Sequence, residues 1–305
     1  VSIGGRLEIG FSPGLQVTLE DGRIRNRGTD LISARQARLG IDLLPLFQKK
    51  IRIGRIALKQ PRISIERGSD GKFNFEKSQV SDKALPVLDL AKISFSGGTI
   101  VYTDRQSGQG FEAGNCSLDL RRLRLSGGAR PDLMKRLSFT AQLACGEIKK
   151  NDLTVSDLQL TASGKSGVFE LKPVTMRIFG AQGSGSIQAD FSGNVPRYHV
   201  RYSLPQFRSE EFLKTLSPRQ VAQGPMDFSV NLSMQGKTVS EMKQALDGEA
   251  SLRGENLALD GIDLDRVLSR FEYSQNFNLV DVGAFFFAGP LGLAVTKGYN
   301  FASIF

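Results

Sequence analysis

The sequence contains no tryptophan, a single histidine and two cysteines among 305 residues. One histidine, His199, and two distant cysteines do not make an ordinary zinc site. His199 sits between Tyr198 and Val200 in a strand-like stretch, and no Gly-x-Ser-x-Gly elbow accompanies it, so it reads as a structural residue rather than half of a catalytic dyad. Gly164-Lys165-Ser166 imitates the end of a phosphate loop, but the glycine required upstream is replaced by Gln159. Gly180, Gly183 and Gly185 lack the βαβ setting of a dinucleotide fingerprint. Asp70, Lys72, Asn74 and Glu76 do not supply the ligands of a calcium loop. Asp104 and Asp157 lie near turns without an obvious carboxylate partner. The residues therefore predict no enzyme, no cofactor and no metal. Aromatics make up 8% of the chain, too few for an aromatic face interleaved with basic residues, so nucleic acid is not an expected partner.

Long hydrophobic runs are also missing. The longest, Val282 to Val295, is too short to span a bilayer and contains Gly289-Pro290. No secretion signal is visible. The chain opens mid-pattern at Val1 and stops on the apolar Phe305, which reads as a fragment of a longer protein.

What is present is glycine, 33 residues of it, with 40% apolar and 23% charged residues. This is a folding composition rather than a disordered one. The formal charge of +9 and pI near 9.6 point to an anionic partner, although the basic residues are spread along the chain. Arg121-Arg122-Leu123-Arg124 is the kind of short, broken run that a solvated strand face also produces.

Period-2 alternation dominates. In "IRIGRIALKQPRISIERGSDGKFNF", Ile51 to Phe75, the apolar phase slips at Gly54-Arg55, where a bulge would restore one apolar face. A second strand is expected after Pro61, carrying Ile63 and Ile65, and a third at Phe73 and Phe75 after the Asp70-Gly71 turn. The order repeats at Ile93 and Phe95, a Gly97-Gly98 slip, then Ile100 and Tyr102. Further strands are predicted over 116–125, 137–145, 153–162, 168–179, 185–191, 198–204, 226–234 and 249–259, with Gly, Asn, Pro or Asp at most breaks. Residues 78–89 read as a loop. Helical patterns are few: a short piece ending near Lys49-Lys50, Ser209 to Leu216 with a Ser cap, Val239 to Leu246 capped by Ser240, Leu264 to Phe271, and an apolar stretch at 282–295. The expected fold is mostly β, an elongated, curved antiparallel sheet with a few short helices. It is organised as an N-terminal β segment (1–80), a repeated β region (81–250) and the start of a C-terminal region (251–305).

Folding the chain about residues 130–131 puts Cys116 opposite Cys145, Leu118 opposite Leu143 and Leu120 opposite Ala141. The cysteines are then either a cross-strand disulfide, in an oxidising compartment, or two small core residues.

"IRIGRIALKQPRISIERGSDGKFNFE" resembles a segment of the AsmA family through Ile51, Ile53, Ile56, Leu58, Pro61, Ile63, Asp70, Gly71 and Asn74. "ISFSGGTIVYTDRQSGQGF" (93–111), "GENLALDGIDLDRVL" (254–268) and "VDVGAFFFAGPLGLAVTKGYNF" (280–301) resemble further parts of it. The resemblance implies a periplasmic protein anchored in the bacterial inner membrane through an N-terminal helix not present here. It is similar to bridge-like lipid transfer proteins, whose sheet forms a hydrophobic groove. It implies phospholipids as partners, with a role between the inner and outer membranes, and it carries over no catalytic residues.

With that resemblance, one sheet face becomes a trough for acyl chains and the other a solvated face with basic rims. Without it, the apolar face packs inside a closed sandwich. The expected lining is Ile63, Ile65, Phe73, Phe75, Ile93, Phe95, Ile100, Tyr102, Phe228, Val230 and Leu232, with the parity facing the groove left open. The alternative is an assembly factor that binds outer-membrane β proteins by adding strands at an open edge.

Overall fold

The computed structural model describes residues 2–11, 14–26, 28–42, 53–75, 88–126, 133–150, 153–215, 222–254 and 258–259. The strands are β1 (Ser2–Ile3), β2 (Leu7–Gly10), β3 (Leu15–Asn26), β4 (Thr29–Ile41), β5 (Ile53–Arg67), β6 (Leu88–Asp104), β7 (Gln109–Leu125), β8 (Leu137–Lys150), β9 (Leu153–Lys165), β10 (Val168–Ile178), β11 (Ala181–Asp190), β12 (Arg197–Arg208), β13 (Ala222–Gln223), β14 (Pro225–Gln235), β15 (Asp247–Gly254) and β16 (Ala258–Leu259). The helices are α1 (Leu133–Arg136), α2 (Ser209–Lys214) and α3 (Val239–Gln244). The fold is mostly β, with a mostly antiparallel sheet left unclosed and few short helices. Its strand order is β1-β3-β4-β5-β6-β7-β8-β9-β10-β11-β12-β14-β15, with β2 also on β3, while β13 and β16 pair apart. Two compact units are present, 1–148 with 159–171 and 149–158 with 172–305.

In the first unit the strands are longer than the sequence pattern predicts, because each phase slip is a bend within one strand rather than a break between two. β5 runs through Pro61 without interruption. Gln60 adopts φ 47° and Gly97 φ 61°, and these positions lie side by side where the β5–β6 ladder lapses between Lys59↔Ser96 and Arg62↔Thr99. Pro61, which cannot donate a ladder bond, sits in that gap. Asp21 (φ 49°) and Asn115 (φ 50°) continue the left-handed positions in β3 and β7. The predicted bulge at Gly54 is also present, as a register shift between Gly40 and Ile41 opposite β5. Each bend changes which parity faces a given side, so Ile56 and Leu58 before it and Ile63 and Ile65 after it share one face. The repeated units are therefore neighbours: β5 and β6 pair in parallel, with Ile56↔Ile93, Leu58↔Phe95, Ile63↔Ile100 and Ile65↔Tyr102. The slip common to both is Gln60 and Gly97, not Gly54.

The expected strand at Phe73 and Phe75 is instead a turn with one bridge, Arg67↔Phe73. Asn74 explains it. Its N–H donates to the Glu66 carbonyl at 2.8 Å, its Oδ1 accepts from the Glu66 N–H at 3.1 Å, and its Nδ2 donates to the Ser64 carbonyl at 2.8 Å. One residue thus satisfies the edge of β5 beyond the point where β4 stops pairing, and the buried amide has its polar atoms matched.

In the second unit β11, β12, β14 and β15 pair antiparallel. A bulge between Leu204 and Phe207 is filled by Asp227, whose Oδ1 accepts from the Gln206 N–H at 2.8 Å. Gly183 and Gly185 leave room for the Tyr202 ring; a Cβ at Gly183 would lie 2.6 Å from its Cζ. Helix α2 places Phe212 against Phe179 and Phe207, at ring distances of 5.4 and 5.9 Å.

Both helix caps differ from the sequence reading. Arg208, not Ser209, is the N-cap of α2, and Ser209 is buried. Thr238, not Ser240, caps α3: its side chain accepts from the Glu241 N–H at 3.2 Å, while the Glu241 carboxylate accepts from the Lys237 N–H at 2.8 Å, a box-like arrangement. The expected helices near residue 49, at 264–271 and at 282–295, the turn at 127–132, most of the 78–89 loop and most of 251–305 lie outside the described residues.

Candidate functional site: the two faces of the sheet

Residues directly opposite on neighbouring strands share a face, so the pairing register separates the two surfaces. In the first unit one face is built from apolar rows running across the strands. One row is Ile9, Val17, Leu39, Ile56, Ile93 and Leu120; the next is Leu7, Leu19, Ala37, Leu58, Phe95 and Leu118. Beyond the bend come Ile24, Ile32, Ile63, Ile100 and Ala113, then Ile65, Tyr102 and Phe111. A Cβ at Gly98 would meet both the Phe95 ring, at 3.0 Å, and the Pro61 ring, at 3.1 Å. Residues on either side of the bend therefore cover the same surface.

The opposite face carries charge. Arg55, Lys92 and Arg121 stand in one row, next to the row Thr18, Arg38, Ala57, Ser94 and Asp119. Asp119 holds Lys92 at 2.8 Å and Arg121 at 2.6 Å. Hydrogen bonds from Arg121 and Lys92 lower its carboxyl to about 2. Arg62 reaches Glu112 at 3.3 Å on the same side.

Burial distinguishes the units. In the first, Ile56, Leu58, Ile63, Ile65, Ile93, Ile100, Tyr102 and Phe111 are only half-buried, and Leu7, Ile9 and Ile24 are exposed. In the second, the rows Ile187, Val200 and Leu232, and Tyr202 and Val230, are buried. Of the expected lining residues, Ile63, Ile65, Ile93, Ile100 and Tyr102 share the half-open face with Phe73 and Phe75, whose rings stack at 5.0 Å; Phe75 is 56% exposed. Phe95 lies on that face but is 7% exposed, a floor residue under its neighbours. Val230 and Leu232, at 4% and 2%, are buried. Phe228 is half-buried and pairs with Leu252, which is 54% exposed. Leu7, Ile9, Val17 and Leu19 of β2 and β3, which alternate in the sequence but are not among the expected lining residues, stand in the same rows.

Cys116 of β7 and Cys145 of β8 form a disulfide, with Cα atoms 4.0 Å apart. His199 shares a hydrogen bond with Ser233, Nδ1 to Oγ 2.9 Å, on the wall of a depression of about 320 Å³ that includes Asp190, Arg197 and Asp247. Among the described residues no group of three or more His, Cys, Asp or Glu side chains could hold a metal ion, and no helix is long and apolar enough to cross a membrane.

The protein is thus built on an unclosed β sheet whose first unit has one charged face and one apolar face left half-open. The chain belongs to the AsmA family, whose profile matches residues 1–126 and 128–278. No curated protein sequence matches it.

Proposed function

We propose that this protein is a lipid-binding scaffold of the bacterial envelope, carrying phospholipid acyl chains on the apolar face of its first unit between the inner and outer membranes. The observation that carries the reading is the set of half-buried cross-strand rows in Leu15–Asn26, Thr29–Ile41, Ile53–Arg67, Leu88–Asp104 and Gln109–Leu125. Soluble proteins rarely leave contiguous apolar surface of this kind without a use for it. Neighbouring strands lie about 4.8 Å apart, so a row from β3 to β7 spans roughly 19 Å, the reach of a long acyl chain. Each methylene removed from water there is worth about 0.8 kcal/mol, so shape and greasiness suffice to hold a tail. The disulfide fits an oxidising compartment such as the periplasm, and family membership fits an envelope role.

Native mass spectrometry of the purified chain tests this. Co-purified or added phospholipid retained under gentle conditions is expected; a chain that stays lipid-free with phospholipid in excess removes the proposal. The alternative, strand addition to outer-membrane β proteins, draws on β15, which ends the strand order among the described residues. It predicts β-rich client binding that is indifferent to lipid removal.

A further inference from the structure

The apolar face does not end in apolar residues. At the ends of β5, β6 and β7 the row Ile65, Tyr102 and Phe111 gives way to Arg67, Asp104 and Gln109 on the same side. Phe73 bridges to Arg67 from beyond β5, and Phe75 stacks on Phe73. A cation, a phenol and aromatic rings thus border the place where the greasy rows stop.

The environment of Arg67 suits a ligand. Its Nη1 is 3.5 Å from Asp104 Oδ2 and its Nε donates to the Gly71 carbonyl at 3.4 Å, both long for charge-assisted bonds, and the side chain is 40% exposed. Asp104 is buried and fixed, because its Oδ1 accepts from the N–H groups of Gln106 at 2.8 Å and Ser107 at 3.4 Å. Asp104 engages Nη1 and the Gly71 carbonyl engages Nε, which leaves the Nη2 donors and the second Nη1 hydrogen for a ligand. Burial raises the Tyr102 hydroxyl above its ordinary pKa, and the Asp104 charge adds to that, so the group remains a donor at neutral pH. Tyr102 and Phe111 rings lie 5.6 Å apart.

We propose that Arg67 and the Tyr102 hydroxyl hold the phosphodiester of a phospholipid whose tails lie on the apolar rows, with Asp104 as a positioning residue and Phe73 and Phe75 flanking the headgroup. Planar guanidinium donors match phosphate oxygens two at a time. The inference rests on the lipid-carrier reading and assigns that surface its polar end.

The test uses the full 305-residue chain as wild type, Arg67→Gln, Arg67→Lys and Tyr102→Phe, each checked by thermal melting. The probes are dioleoyl phosphatidylglycerol, dioleoylglycerol with the same tails but no phosphate, and inorganic phosphate as competitor. Wild type is expected to prefer the phospholipid. Arg67→Gln should weaken phospholipid binding about tenfold and leave dioleoylglycerol unchanged, Arg67→Lys should recover part of the loss, and Tyr102→Phe should show a smaller selective loss. Equal loss of both lipids in Arg67→Gln, or full displacement of phospholipid by millimolar phosphate, overturns the headgroup site. Two lipids bound equally well by wild type and every variant overturn it while leaving the carrier reading intact. A wild type that binds neither lipid overturns both.

Discussion

Asn74 performs at one residue what a strand would otherwise do, closing hydrogen bonds to Ser64 and Glu66 and accepting another at its carbonyl from Asn26 Nδ2 at 2.8 Å. Truncating it leaves the Glu66 N–H and the Ser64 carbonyl without those partners, so Asn74→Ala should cost about 2 kcal/mol in urea unfolding. It should also loosen the Phe73–Phe75 pair, seen as faster proteolysis of that turn. Asp119 makes a separate prediction in pH. Its folded carboxyl titrates near 2, below its unfolded value, so its stabilising contribution is complete above about pH 4 and is lost as pH falls through about 2. Melting temperature followed over that window should fall less steeply in Asp119→Asn than in wild type. Removing the carboxylate also leaves Arg55, Lys92 and Arg121 facing one another, and like charges directly opposite repel. The variant should therefore regain stability with added salt. The disulfide closes a separation of 29 residues, and its reduction should cost on the order of 3–4 kcal/mol by loop entropy, read from urea curves with and without reductant.

At the scale of the element, the informative feature is the bend shared by adjacent strands. Gly97 holds φ 61°, a conformation that costs an ordinary side chain roughly 1–2 kcal/mol and a β-branched one more. Gly97→Val should lower the urea midpoint accordingly. Gly114→Ala, in β7 at ordinary φ with nothing within 4 Å of the added methyl, should be close to neutral. These bends also explain what could be read in advance. Strand positions from Leu137 to Gln235 follow from alternation, because apolar and polar residues alternate where one face is covered and the other wet. The bends look like strand breaks in sequence, since a left-handed residue shifts parity much as a turn does; that is why β5 reads as two strands at Pro61. The parallel pairing of β5 with β6 has no local signature, because it depends on a long connection rather than on a turn. The helix N-caps lie one and two residues before the expected serines: Thr238 offers the same hydroxyl as Ser240, whereas Arg208 makes no side-chain cap bond and is the N-cap by its extended backbone alone. Burial of the expected lining residues was not legible in the sequence. Val230 and Leu232 have the same pattern as Ile63 and Ile65, and only packing shows that the former pair is buried and the latter half-buried.

For the molecule as a whole, the amphipathic sheet of the first unit allows the proposed lipid binding to be separated from folding with two adjacent substitutions. Ile56 and Ala57 are consecutive in β5 and face opposite sides: Ile56 lies between Leu39 and Ile93 on the half-open apolar face, and Ala57 between Arg38 and Ser94 on the exposed polar one. A carboxylate at position 56 must be desolvated by any acyl chain laid along its row, and an unpaired charge cannot be buried cheaply. A carboxylate at 57 remains in water and gains Arg38 as a neighbour. Ile56→Asp should therefore reduce phospholipid occupancy in native mass spectra by tenfold or more, with a moderate loss of stability because the side chain is only half-buried. Ala57→Asp should bind lipid as wild type does and melt within a few degrees of it. If the two variants lose lipid in parallel, the bound lipid is held by charge rather than by the apolar rows. If neither loses it, the tails lie somewhere other than on this face, and the half-open rows are a surface for a different partner.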